Sequence, residues 1–187
     1  MNTEEYKSLL SERLSPYRYT HSLCVAQSAV ELAEKYGADK DKALIAGLLH
    51  DITKEAKTEE HFALFEQSGM RLTALETVNH KLWHAMSGAA YLELKLNITD
   101  KDILDAVRYH TTARAGMSLL EKVIYIADFI SADRVYDDVD VVRELAEKSL
   151  DETMRYTQRY SINELLRKGA CIHPDSVACY NELLLEG

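Results

Sequence analysis

Residues 43–52 read Ala-Leu-Ile-Ala-Gly-Leu-Leu-His-Asp-Ile. As far as Leu49 the stretch is apolar nearly all round and lacks the polar stripe of a surface helix, so it has to lie at the centre of a core. Asp39 or Asp41, just upstream, can cap its first turn. A second stretch of the same kind, Lys122-Val-Ile-Tyr-Ile-Ala-Asp-Phe-Ile130, opens on Ser118 and Glu121, a pair spaced so that each side chain caps the other's backbone N–H. Two nearly all-apolar helices need others packed around them.

Further start and stop signals divide the rest of the chain. Thr3 can cap a short first helix. Ser15 with Pro16 opens a helix running through Ala33 and stopping at Gly37. Thr58 and Glu60 begin a short amphipathic helix with Phe62 and Phe65, broken at Gly69, and a loop follows to about Val78. His80 to Leu96 has helical spacing, and Thr99 with Asp102 starts a helix ending near His110. Asp138 or Asp140 begins a long polar helix to about Tyr160, Ser161 with Glu164 opens another, and Pro174 begins the last. The expectation is an all-α bundle forming one domain over residues 1–187. Its motif-bearing core covers about 15–135, and residues 136–187 form a C-terminal helical cover.

Composition agrees with that reading and narrows the partners. Glycine and proline together number nine in 187 residues, too few for the many tight turns of a sandwich or barrel. Lys and Arg number 22 against 31 Asp and Glu, for a net charge of −9, which argues against nucleic-acid or anionic-membrane binding because both need a basic face. Cys24, Cys171 and Cys179 are an odd number without a CxxC pair, and the opening MNTEEYKSLL lacks a basic-then-apolar leader. A cytoplasmic protein is expected.

Function is read from polar groups set in apolar surroundings, where an unpaired carboxylate or imidazole is costly. His50 and Asp51 follow the run from Ile45 to Leu49. Asp128 interrupts the second buried stretch, and His21 shares a helix with inward Leu23, Val25 and Ala29. A shared metal ion is the simplest partner for all of them. Adjacent helical residues point ~100° apart, so His50 and Asp51 can reach one ion only at a helix end or where helices converge. More ligands must then come from elsewhere, and the ordered set His21, His50-Asp51, His84, His110, Asp128 offers them, each from its own predicted helix.

That ordered pattern resembles the HD-domain superfamily of metal-dependent phosphohydrolases. Finer features resemble its YqeK-type subgroup of symmetrical dinucleoside tetraphosphate hydrolases: Arg18-Tyr-Thr-His21, His50-Asp51-Ile-Thr-Lys54, Trp83-His84, Arg108-Tyr-His110-Thr-Thr-Ala-Arg114 and Ile126-Ala-Asp128 with Arg134 beyond. The resemblance implies an HD-domain bundle with His21, His50, Asp51 and Asp128 as ligands of a divalent transition metal, iron by family precedent. The ligand types alone suit Mn, Co, Ni or Zn as well. It implies cleavage of diadenosine tetraphosphate to two ADP, by attack of metal-activated water on an inner phosphorus.

Within that scheme His84 and His110 are either ligands of a second metal or, preferably, donors that bind phosphate and protonate the leaving group. Asp51 could bridge two ions. Arg18 and Lys54 project to the ligand face and offset substrate charge. Thr111, Thr112, Arg114 and Arg134 follow the ligand helices and are expected to hold distal phosphate or ribose. The implied partners are a dinucleoside polyphosphate substrate and a nucleoside diphosphate product, with a homodimer left open.

Several residues are read as ordinary. Lys81 stands where an HExxH metalloprotease needs glutamate, so the His80/His84 spacing is set aside. His61 reads as a solvated helix residue, His173 as a cap, and the eleven tyrosines as packing residues, one of which could still stack on a base. Two rivals remain: the same site acting on another nucleotide (a mono- or triphosphate or an alarmone), and a non-catalytic nucleotide sensor.

Overall fold

The computed structural model describes residues 2–185, and among them the chain is helix and connection without a strand. The helices are α1 Thr3–Arg13, α2 Pro16–Tyr36, α3 Lys40–Leu49, α4 Thr58–Gln67, α5 Ala74–Val78, α6 Trp83–Leu96 after a single tight turn at His80–Leu82, α7 Lys101–Tyr109, α8 Leu119–Ile130, α9 Val139–Ala146, α10 Leu150–Arg167 and α11 Pro174–Leu185. The all-α expectation is met, and the two apolar stretches are α3 and α8.

α3 is central because from Ala43 to Leu49 none of its side chains is exposed. It lies against α2, α7 and α8, and α2 also packs along α8. Ala46, Leu48, Leu49 and Ile52 are buried, as are Val123, Ile124, Tyr125 and Ile126 of α8. Each such large side chain contributes about 1.5–3 kcal/mol of transfer free energy. Gly47 lets α2 and α3 touch, since a Cβ there would lie 2.7 Å from Ala26 Cα. Gly37, at φ +81°, closes α2 in the left-handed conformation that glycine adopts without cost.

Several predicted boundaries move. Asn2, not Thr3, caps α1, its side chain accepting from Glu5 N–H while Glu5 returns a bond to the Asn2 backbone. Asp100, not Thr99, caps α7 through Asp102 and Ile103 N–H. The stretch read as loop before Val78 contains α5, opened by a Thr73–Glu76 capping box. The long polar helix is two: α9 stops at Ala146, and Ser149 accepts from Glu152 N–H to start α10. Ser161 opens nothing. It lies half-buried in mid-helix, beyond the buried Thr153, Met154, Thr157 and Gln158 of α10, and a Ser-x-x-Glu pattern can cap only where the chain enters a helix.

Candidate active site

The six motif side chains converge from five helices. His21 comes from the first half of α2, His50 caps the end of α3 with Asp51 next to it, His84 stands in the first turn of α6, His110 caps α7, and Asp128 lies in the last turn of α8. His21, His50, Asp51, His84 and His110 are all at least 95% buried, and Asp128 keeps 19% of its side chain accessible. The imidazoles form a row, with ring centres 5.3 Å apart from His21 to His50, 5.0 Å from His50 to His110 and 5.1 Å from His110 to His84.

Three of these rings are oriented by acceptors that cannot donate. His21 Nδ1 donates to Asp133 Oδ2 at 2.8 Å, His50 Nδ1 to the Gly47 carbonyl at 2.7 Å and His110 Nδ1 to the Val107 carbonyl at 2.7 Å. The proton of a neutral ring is therefore on Nδ1, and Nε2 turns a lone pair toward the cluster. His21 Nε2, His50 Nε2 and Asp51 Oδ1 are buried without a hydrogen-bond partner. Such orphans are rare in a finished interior.

Electrostatics set the charge states of these groups. Burial pushes His50 down to about 4 and His84 well below the ordinary imidazole value, so both are neutral. For Asp51, burial would raise the carboxyl, but His50, His110, Lys54 and His84 outweigh it and hold it ionised. Asp128 is likewise held ionised, with His21 and Arg134 overcoming its burial. Burial alone would lower His21, yet the attraction of Asp128 wins and raises it. The space between His21 Nε2 and Asp128 Oδ1, 3.0 Å apart, therefore favours positive charge.

The donors fall into two trios that share Asp51: His21, His50 and Asp51, and Asp51, His84 and His110. Within each, the ligand atoms lie within 4.8 Å of one another. Imidazole and carboxylate in this proportion fit a divalent transition ion, and the orphaned lone pairs are what such an ion would satisfy.

Residues 18–133 match the HD domain family. The chain belongs to it. A symmetrical bis(5′-nucleosyl)-tetraphosphatase from Bacillus subtilis is 40% identical to this HD protein over 184 residues, covering 98% of each chain. A protein of the same name from Halalkalibacterium halodurans is 38% identical over 186 residues, covering 100% of this chain and 99% of the other. The 1.50 Å crystal structure described as a predicted HD superfamily hydrolase involved in NAD metabolism, from Clostridium acetobutylicum, superposes with a TM-score of 0.96 at 34% identity over 100% of this chain and 99% of that one.

Arg18, Lys54, Thr111 and Arg134 border the HD cluster. Arg18 Nη1 lies 3.3 Å from Asp51 Oδ2, and Lys54 Nζ lies 3.4 Å from Asp51 Oδ1 and 2.9 Å from His84 Nε2. Thr111 Oγ1 is 3.4 Å from His110 Nε2 and 3.5 Å from His84 Nε2. Arg134 pairs with the Asp128 carboxylate and donates through Nε to the Asp128 carbonyl at 2.7 Å. Thr112 is buried behind Thr111, and its carbonyl accepts from Ser176 Oγ at 2.7 Å. Arg114 stands apart from the cluster. Its guanidinium is held at 2.6 Å by the buried Glu121 and at 3.1 Å by Asp105, in an ion-pair cluster joining α7 to α8.

Other contributors went unseen in the sequence. Asp133 orients His21, yet it follows the end of α8, where no helical period links it to Asp128. His61 is buried, not solvated, because α4 packs on α6. It faces Ser87 Oγ at 2.7 Å, Ser87 faces Thr53 Oγ1 at 2.8 Å, and Thr53 donates to the His84 carbonyl at 2.9 Å, a chain that fixes the His84 backbone. His173 is a cap as expected, accepting from Asp175 N–H at 3.2 Å. The C-terminal cover also joins the site: a cavity of about 440 Å³ beside Asp128 and Arg134 is walled by Tyr17, Phe129, Tyr136 and Tyr160.

Proposed function

We propose that this protein hydrolyses diadenosine tetraphosphate symmetrically, water adding to an inner phosphorus and one anhydride bond breaking to leave two ADP. The observation that carries the reading is the single cluster of His21, His50, Asp51, His84, His110 and Asp128, flanked by Arg18 and Lys54, in a chain whose full-length relatives bear that name.

His21, His50, Asp51 and Asp128 would hold the metal, with iron the first choice and Mn, Co, Ni or Zn served by the same donors. When bound, it supplies Lewis-acid polarisation of a phosphoryl oxygen and a lowered pKa for water. The chain's own residues do the rest. Arg18 and Lys54 neutralise phosphoryl oxygens that would otherwise meet a net −9 protein. His84 Nε2 accepts from the Lys54 ammonium at 2.9 Å, so the proton for the departing phosphate comes from Lys54 through His84, which donates once it has taken that proton, with His110 beside it. Thr111 and Arg134 border the two ends of the row and hold the outer phosphates. The Asp51–His84–His110 trio also has the donor types for a second ion, with Asp51 shared.

Chromatography of products from the metal-loaded enzyme tests this. ADP alone is expected; AMP plus ATP would exclude symmetrical cleavage, and no turnover with Fe, Mn or Co supplied removes the assignment. The description of the Clostridium acetobutylicum neighbour gives one reason for a second reading, a dinucleotide of the NAD type. The same assay on NAD reads out AMP and nicotinamide mononucleotide.

A further inference from the structure

Two cavities adjoin the histidine row, one at each end. The first, about 440 Å³, reaches Asp128, the neighbour of His21. The second, about 370 Å³, is lined by Thr111, Thr112, Leu82, Leu165, Lys81 and Lys168 among others. Thr111 places it against His110 and His84, at the opposite end. Phe129 and Tyr160 wall both, so the two spaces lie on either side of one aromatic ridge.

We propose that the second cavity is a nucleoside site, taking the half of the substrate that the tyrosine-walled cavity does not. This rests on the hydrolase reading above. A molecule with a nucleoside at each end and phosphates between requires two such spaces joined across the reacting centre, and the row of imidazoles supplies the join. The chemistry of the walls fits that occupant. Leu82, Leu165 and Phe129 offer apolar surface to a base. Lys81 and Lys168 offer ammonium groups to the attached phosphate, Lys168 being held meanwhile by Glu164 at 2.9 Å. Thr112, 95% buried, borders the space behind Thr111, whose hydroxyl faces the His84 and His110 rings. Two walls of this cavity come from α10 and the segment before α11, so the C-terminal region is part of the substrate site.

Cys171 also lines the cavity and is solvent-exposed, so a bulky replacement there fills space without disturbing the core. The test compares diadenosine tetraphosphate with adenosine 5′-tetraphosphate, which carries the same phosphates and one nucleoside, in wild type and Cys171→Trp. The ratio of kcat/KM for the two substrates is expected to fall about tenfold in the variant, mostly through KM for the dinucleotide, the order set by losing one base contact. Titration of ADP into the metal-loaded protein reads binding without turnover: wild type takes one ADP in each cavity, and Cys171→Trp loses one of the two sites. An unchanged ratio with both ADP sites intact overturns the inference while leaving the hydrolase reading standing. A wild type that never cleaves diadenosine tetraphosphate overturns that reading itself.

Discussion

The two halves of the histidine row meet at Asp51 and are furnished differently. On the His21–His50 side each ring is oriented by its Nδ1, at 2.8 Å from Asp133 and 2.7 Å from the Gly47 carbonyl, and each Nε2 is left without a hydrogen bond. On the other side His84 Nε2 already has Lys54 Nζ at 2.9 Å and Thr111 Oγ1 at 3.5 Å. Buried acceptors without donors call for a cation, whereas acceptors already facing an ammonium do not. This difference supports the proposed division, with a metal in the first half and phosphate and proton handling in the second. One carboxylate, Asp51, couples them.

Substitutions on either side of Asp51 separate these roles. His50→Ala removes a proposed metal ligand, so metal content by elemental analysis and turnover should both collapse, activity by about 10³-fold or more. Full metal occupancy in that variant would break the distinction between the halves. Lys54→Ala should lower kcat by roughly 10²-fold, the usual loss of one preorganised charge at a reacting centre, with metal content unchanged. If the metal is lost too, the second half is a ligand site as well.

Asp133→Asn sharpens the same contrast at smaller amplitude. An amide can still accept from His21 Nδ1 but supplies no charge, so metal affinity by chelator competition should weaken by about 10-fold, in the lower part of the range for outer partners of ligating histidines. At saturating metal, kcat should return close to the wild-type value, which separates positioning from chemistry. A kcat that stays low at saturation would place Asp133 in the reaction instead.

How much of this was legible in the sequence follows the same divide. The HD core was readable because its chemistry breaks hydrophobic periodicity: His50 and Asp51 end an apolar run and Asp128 interrupts one, so the residues announce themselves locally. Asp133, His61 and the cavity walls Tyr160 and Leu165 do not. Each lies in a polar or ordinary amphipathic stretch, and each acquires its role only from a neighbour distant in the chain: Asp133 from His21, His61 from Ser87, Tyr160 from Phe129. The cover was misdivided for a related reason. Ser149 and Ser161 are equally good capping residues on paper, and only the buried face of α10 decides that the first opens a helix and the second sits inside one.

Gly47→Ala probes how the bundle holds the first half in place. The added Cβ would stand 2.7 Å from Ala26 Cα and 3.2 Å from Ala26 N, both backbone atoms that cannot swing aside. α2 and α3 must therefore separate, at a cost of about 2 kcal/mol for an overpacked contact and a fall in Tm of roughly 4–8 °C for a chain of this size. The same movement shifts the carbonyl that orients His50 and changes its spacing from His21, which α2 carries. Metal affinity should weaken along with stability, while His84 and His110, carried by α6 and α7, keep their geometry. Loss of stability without any change in metal affinity would show that the α2–α3 contact supports the fold alone.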